Sequence, residues 1–325
     1  MRSEKTIILL STFSKGGQIM ELTIQQIHKS FGDKEVLKDI GFSAKSGSAH
    51  GLLGRNGAGK TTTIRIVMGV FFPDKGRVLI DGRQIDRSRI RIGYMPEERG
   101  LYPKKKISEQ LVYLAMLRGL SGSDAKKACD KWLERMGMSE YKNKKLETLS
   151  KGNQQKIQLA ATLMCDPEIV ILDEPFSGLD PVNAMLLKDV IKEMIDRGSV
   201  VLFSSHQMNY VEEFCDSISI LNGGKIALEG RISEIKRSYP RDRIAVSSSE
   251  CDKIAPFVIR NMSGDILSAD KDKENDNTLI IKLKDPAFKG RLMKELSDNN
   301  FDIDEFRVIE PSLNDIFVQY TEAGI

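Results

Sequence analysis

The run Gly54-Arg55-Asn56-Gly57-Ala58-Gly59-Lys60-Thr61 constrains this chain more than any other stretch. It follows the apolar segment His50-Gly51-Leu52-Leu53 and precedes Thr61 to Gly69, which has helical spacing. That context, strand then glycine-rich turn then helix, separates a phosphate cradle from a turn that binds nothing. The glycines let backbone N–H groups curl round phosphate oxygens. The following helix aims its positive N-terminus at them. Lys60 is placed to reach the β- and γ-phosphates, and the Thr61 hydroxyl to bind Mg²⁺. The expected nucleotide contacts are Gly54, Arg55, Asn56, Gly57, Ala58, Gly59, Lys60, Thr61 and Thr62.

A second run, Ile169-Val-Ile-Leu-Asp-Glu-Pro175, reads as a buried apolar strand that carries Asp173 to its end. There the carboxylate can hold Mg²⁺ through water. Glu174 is placed to accept a proton from the attacking water. An Asp-Glu pair alone fits a solvated strand end equally well; the phosphate loop upstream favours the chemical reading.

Around these runs the pattern alternates. Met20, Leu22 and Ile24 have the period of a half-buried strand, and Val36, Leu37, Ile40 and Phe42 suggest an antiparallel partner. Further strands are expected at Val78–Ile80, Val200–Phe203 and Ile218–Leu221, with helices at Asn153–Met164, Asn183–Ile195 and Met208–Phe214. Strands alternating with helices predict a mostly parallel sheet covered on both faces. Between residues 105 and 150 the pattern is helical only. Leu111, Leu114 and Leu117 mark one expected helix, and Ala128, Trp132 and Met136 the buried face of a second.

A boundary is expected near Arg237 to Asp242, where Tyr239-Pro240 punctuates the chain. Residues 241–325 then predict a small α+β domain in the order β-α-β-β-α-β, which is ferredoxin-like. Its last strand is expected at Phe301–Ile309 and its last helix at Ser312–Tyr320. This extension holds no phosphate loop, metal cluster or catalytic pair, which favours a packing or dimer-stabilising role over the alternative, a regulatory domain that senses a ligand or clamps the dimer.

Residues 1–19 resemble a signal only superficially, because their apolar core, Ile7 to Leu10, is too short. Lys15-Gly16-Gly17 can be encoded as a bacterial ribosome-binding site, so translation is expected to start at Met20. The four cysteines, Cys129, Cys165, Cys215 and Cys251, stand far apart, which fits a reducing cytosol. Net charge is +3, too small for an electrostatic nucleic-acid binder. No apolar run approaches the roughly 20 residues of a membrane-spanning helix, so work at a membrane requires another chain to span it. His28 and His50 lack ligand-spaced partners, and Lys104-Lys105-Lys106 is read as a solvated face.

Residues 20–230 resemble the ATP-binding subunit of ABC transporters, within an expected ATP-binding domain of residues 20–237. Leu149-Ser-Lys-Gly-Asn-Gln-Gln-Lys156 is similar to that family's signature, Ser177-Gly-Leu-Asp180 to its D-loop, and Ser204-Ser-His206 to its switch. The resemblance implies a P-loop ATPase domain with an inserted helical subdomain, and ATP with Mg²⁺ as cofactors. It implies that Phe31 stacks on adenine, that Ser150 and Gly152 bind the γ-phosphate held by a partner subunit, and that Asp180 lies beside nucleotide. It implies that His206 contacts the γ-phosphate and orients Glu174. Two positions depart from the family: Lys151 and Asn153 replace Gly and Gln, and Glu97 replaces a Gln that meets Mg²⁺ or water. A carboxylate at Glu97 can still bind the metal.

The segment Pro96-Glu-Glu-Arg-Gly-Leu-Tyr-Pro-Lys104 and the C-terminal Glu310-Pro-Ser-Leu-Asn-Asp-Ile-Phe317 resemble a branch of sodium and drug exporters. The implied partners are an integral membrane permease and a second nucleotide-binding subunit, in a homodimer, at the cytoplasmic face of a bacterial cell membrane. A non-transport ATPase acting on the ribosome or DNA is the alternative. It is disfavoured because the chain has one such domain and no inserted coiled coil. A catalytically dead subunit is disfavoured by Lys60, Asp173, Glu174 and His206 together.

Overall fold

The computed structural model describes residues 19–98, 100–272 and 275–322. The leader reading falls on residues 1–18, outside the described residues. The chain divides into two compact units. The first runs through Ile232 and takes in the residues from Phe317 onward; the second is Ser233–Ile316.

The first unit opens with β1 (Glu21–Phe31), β2 (Lys34–Lys45), β3 (Ser48–Gly54), α1 (Lys60–Met68), β4 (Lys75–Ile80), β5 (Arg83–Gln84) and β6 (Ile92–Met95). The helical insertion follows as α2 (Ile107–Leu117) and α3 (Gly122–Arg135). Then come α4 (Lys151–Leu163), β7 (Ile169–Asp173), α5 (Pro181–Asp196), β8 (Val200–Ser204), α6 (Met208–Phe214), β9 (Ser217–Asn222) and β10 (Lys225–Arg231). Two sheets result. One is antiparallel, in the order β2-β1-β4-β5; the other has the order β10-β9-β3-β8-β7-β6 and is parallel except at β9-β10. An apolar core joins Leu22, Ile24, Ile40 and Phe42 of the first sheet to Ile64 and Val67 of α1, and to Leu52, Ile171 and Leu202 of the second. β7 and β8 are buried along their whole length, as continuous Val/Ile/Leu runs in a covered parallel sheet should be.

The insertion is helical as expected, but its buried faces differ. In α2 the buried residues are Ile107, Gln110, Leu111 and Ala115, while Leu117 is exposed. Three-residue steps from Leu111 turn progressively away from the core, whereas the four-residue step to Ala115 stays on it. In α3 the buried stripe is Ala125, Cys129, Trp132 and Leu133, with Met136 buried just past its end; Trp132 and Met136 are as expected, and Ala128 stands at the edge. All four cysteines are free and buried. Among the described residues no helix is long and apolar enough to cross a membrane.

α7 (Ile232–Ser238) begins at the boundary; the second unit then contains β11 (Arg243–Ser247), α8 (Cys251–Asn261), β12 (Ile266–Lys271), β13 (Thr278–Leu283), α9 (Lys289–Asp298) and β14 (Glu305–Ile309), and α10 (Leu313–Glu322) follows. The sheet order is β12-β13-β11-β14, antiparallel throughout, which is the ferredoxin-like arrangement. Ile244, Val246, Leu279 and Ile281 of the sheet meet Ile254, Val258, Leu292 and Leu296 of the helices. The last strand begins at Glu305 rather than Phe301. Residues before it are held as a loop, with the Ser248 hydroxyl donating to Asp302 O at 2.5 Å and Asp302 N donating to Glu250 Oε2 at 3.2 Å.

Candidate active site

Parallel strands deliver the chemistry to one edge. In register, Leu52 of β3 faces Ser204 of β8, Ser204 faces Asp173 of β7, and Leu172 faces Met95 of β6. The phosphate loop, the Ser204–His206 turn, the Asp173-Glu174 pair and the Pro96-Glu97 segment therefore leave the same sheet edge side by side. Ligands bind at such carboxyl ends of strands.

The loop needs its glycines. Gly54 has φ 155°, and a Cβ there would stand 2.6 Å from Leu221 O. Gly59, at φ 114°, caps α1, and its Cβ would stand 2.5 Å from Leu37 Cδ2. Lys60 is the first residue of α1 and is buried. Its ammonium donates to Gly54 O at 2.5 Å and Arg55 O at 3.4 Å, across the mouth of the loop. Burial pulls its pKa down, and the charges of Glu174, Asp173 and Glu97 oppose that pull.

Glu174 is buried and sits at φ 49°, a left-handed conformation that costs a residue with a Cβ about 1–2 kcal/mol. Donation from Glu174 N to Ser204 O at 2.9 Å fixes the turn. The following Phe176 anchors it, stacked on Tyr210 with centroids 3.9 Å apart. The Glu174 carboxylate accepts from Ser205 Oγ at 3.2 Å and lies 2.8 Å from His206 Nδ1. His206 itself is mostly exposed, so its other nitrogen is open to a ligand. Asp173 lies beside, with Tyr94 Oη donating to its Oδ2 at 3.4 Å. Burial raises its pKa, Glu97 adds to the rise, and Lys60 opposes it. Tyr94 is pushed up to about 12, first by burial and then by Asp173, so it remains a donor.

Thr61, Asp173 and Glu97 offer hard oxygen ligands, which suit Mg²⁺. Among the described residues no three His, Cys, Asp or Glu side chains gather to hold a metal unaided. Mg²⁺ habitually takes one or two carboxylates and completes its shell with water and substrate phosphates. The donor set therefore fits a metal that arrives with the nucleotide.

Ser150 caps α4, its Oγ accepting from Asn153 N at 3.3 Å. Gly152 lies against Asn183, where a Cβ would stand 2.6 Å from Nδ2. Asp180 caps α5, and the Asn183 N–H it accepts at 2.9 Å lowers its pKa. Phe31 is half exposed at the end of β1, edge-on to Phe71 at 5.3 Å. The Lys29–Asp74 pair at 2.7 Å and the bond from Ser30 N to Asp74 at 2.6 Å fix that strand end. Sequence reasoning assigned no role to Tyr94, Ser205 or Gln158. Ser205 had a signal, as the middle of Ser204-Ser205-His206; the other two had none.

Residues 37–177 match the family described as ABC transporter. The chain belongs to the ABC transporter ATP-binding proteins. It is 41% identical to an uncharacterized ABC transporter ATP-binding protein, YhaQ of Bacillus subtilis (strain 168), over 92% of this chain and 97% of that one. The linearmycin resistance ATP-binding protein LnrL of the same organism is 30% identical over 92% and 98%. A solved ATP-binding subunit of an ABC transporter superposes with a TM-score of 0.62 at 30% identity, covering 66% of this chain and 92% of that one. Residues 230–321 match the C-terminal domain described as ATP-binding protein DrrA1-3-like. This ABC protein is an ATPase. Its family uses ATP, generally with Mg²⁺, works with membrane permease components and usually dimerises.

Proposed function

We propose that this ABC ATPase powers export through a separate integral membrane permease, at the cytoplasmic face of a bacterial membrane. The observation that carries the reading is the buried Glu174 carboxylate, held by Ser205 and His206 at the strand end beside Lys60. Lys60 and the loop amides bind the triphosphate of ATP. Thr61, Asp173 and Glu97 would hold Mg²⁺, which would supply positive charge to the phosphates when bound. Glu174 accepts a proton from water as it attacks the γ-phosphorus, giving ADP and phosphate. His206 keeps the Glu174 carboxylate aimed and reaches the γ-phosphate with its other nitrogen. Phe31 stacks on the adenine.

One phosphate loop and one signature in the chain call for a second copy, so that ATP lies between Lys60 of one and Ser150, Gly152 and Asp180 of the other. Closure and opening of that sandwich drive the permease through the segment from Glu97 to Lys106. A drug or a sodium ion is the cargo. The linearmycin-resistance relative, matched over nearly its whole length, supports the drug. YhaQ and LnrL both bear the names of transporter or resistance proteins, and neither supports action on the ribosome or DNA.

Glu174→Gln keeps the shape and cannot take the proton. The variant is expected to lose turnover at least a hundredfold and to run as a dimer on gel filtration with ATP and Mg²⁺. A monomer under those conditions, or wild-type turnover, refutes the assignment.

A further inference from the structure

α4 carries the signature at its N-terminus, and it also carries three glutamines whose side chains bond to backbone. Gln154 donates to Leu149 O at 2.9 Å. Gln155 donates to Pro175 O, in the turn just after Glu174. Gln158 is buried, and its Nε2 donates to Pro96 O at 2.9 Å and Glu98 O at 3.3 Å. One amide thus grips the backbone on both sides of Glu97. The charge of Glu97 in turn acts on Lys60 and Asp173. Gln158 lies eight residues from Ser150, about 12 Å along a helix.

Backbone carbonyls at a loop gain no fixed position from their own strand once the ladder ends. Here β6 ends at Met95, and the bonds from Gln158 hold the Pro96–Glu98 segment to a regular element. A buried amide with two good acceptors is costly to replace by an apolar side chain, because the carbonyls lose their partner.

We infer that Gln158 is a positioning residue for the metal-side carboxylate. It ties Glu97 to the helix whose N-terminus carries Ser150 and Gly152, so displacement of that helix moves Glu97 relative to Lys60 and Asp173. The inference rests on the reading that puts Glu97 beside Mg²⁺, and it makes the signature helix a mechanical link between the two faces of one subunit.

The test measures ATP affinity by calorimetry on the full chain in a Glu174→Gln background, first in EDTA and then in excess Mg²⁺. The quantity compared is the factor by which Mg²⁺ tightens ATP. Gln158→Met removes both bonds and should reduce that factor about fivefold, the size of one typical net hydrogen-bond contribution, and leave the EDTA affinity within about twofold. Glu97→Ala should reduce the factor as well, and Gln158→Met should add nothing in the Glu97→Ala protein, because the two act through one group. Thr162→Val removes the hydroxyl that donates to Gln158 O at 2.9 Å and Tyr94 O at 3.3 Å but leaves the Gln158 amide bonds in place, and should leave the factor unchanged.

An unchanged factor in Gln158→Met, or losses that multiply in the double variant, overturns the inference. So does a Gln158→Met protein whose EDTA affinity falls as well, since that marks a packing residue. If Glu97→Ala leaves the factor unchanged, the metal reading of Glu97 has failed and the inference falls with it. Lys60→Ala, which should still weaken ATP in EDTA, then separates that failure from failure of the whole site.

Discussion

Lys60 shows how far a single residue can be read from its chemistry. Its ammonium is buried at the loop mouth and held by two carbonyls, with three carboxylates acting on it. Lys60→Ala removes a charge-assisted contact of about 1.5–3 kcal/mol, so ATP affinity by calorimetry should fall roughly ten- to a hundredfold. His50 is the opposite case. It has no ligand-spaced partner in sequence, and the structure satisfies it internally: Ser217 Oγ and Ser219 Oγ lie 2.9 Å from its two nitrogens, and Phe42 stacks at 4.9 Å. Burial pushes its pKa from 6.5 down to about 4. Between those values the unfolded chain takes up a proton that the folded chain refuses, so stability is lost as pH falls from 6.5 to 4. The loss is about 3 kcal/mol. His50→Asn cannot titrate and should lack this part of the slope in urea unfolding followed across that range. Parallel slopes would show the group to be solvated. Residues such as Lys60 are legible because a motif fixes their partners nearby. Gln158 is not, because its partners are carbonyls some 60 positions away and nothing in its spacing encodes them.

At the scale of elements, legibility followed burial. β7 and β8 announce themselves as apolar runs, since both faces are covered. β10 does not: it is a sheet edge whose residues alternate between exposed and half-buried, so its hydrophobic signal is weak. β6 is only Ile92–Met95, and its Gly93 is where the backbone of α4 comes close, with Thr162 O 2.7 Å from the position of a Cβ. The α2 face misleads because Leu at three-residue steps looks periodic while the helix turns past it. α1 shows a device that no local pattern encodes. Its C-terminus is closed by Arg87, from beyond β5, whose guanidinium donates to Val67 O at 3.0 Å and Ile66 O at 2.8 Å. Burial lowers the Arg87 pKa without removing its charge, and a cation suits a helix C-terminus. Arg87→Ala should therefore cost about 1–2 kcal/mol. In thermal unfolding this should appear as a Tm lower by roughly 2–8 °C. A Tm unchanged within error would show the cap to be replaced by water.

At the scale of the whole molecule, the chain's end returns to the unit that binds nucleotide. Residues from Phe317 onward group with the first unit, where the Asn222 amide donates to Tyr320 O at 2.9 Å and Thr321 is buried. Asn222 ends β9, whose Leu221 backbone carbonyl lies against Gly54 of the phosphate loop. Periodicity in the sequence marked a terminal helix at Ser312–Tyr320 but carried no sign of this return, since a single side-chain bond across about 100 positions leaves no pattern. Truncation after Tyr239 removes the ferredoxin-like unit and, with it, the partner of Asn222. The phosphate loop, Asp173, Glu174 and His206 all precede the cut, so ATP affinity should stay within about threefold, less than the loss of one typical hydrogen bond. Stability should fall, because Asn222 and the residues packed near it become exposed. Asn222→Ala in the full chain tests the same bond alone, and should lower the midpoint of thermal unfolding by part of the truncation's shift. If the truncated protein stays folded and yet loses ATP affinity tenfold or more, the C-terminal residues support the phosphate loop through β9, and the nucleotide site depends on both ends of the chain.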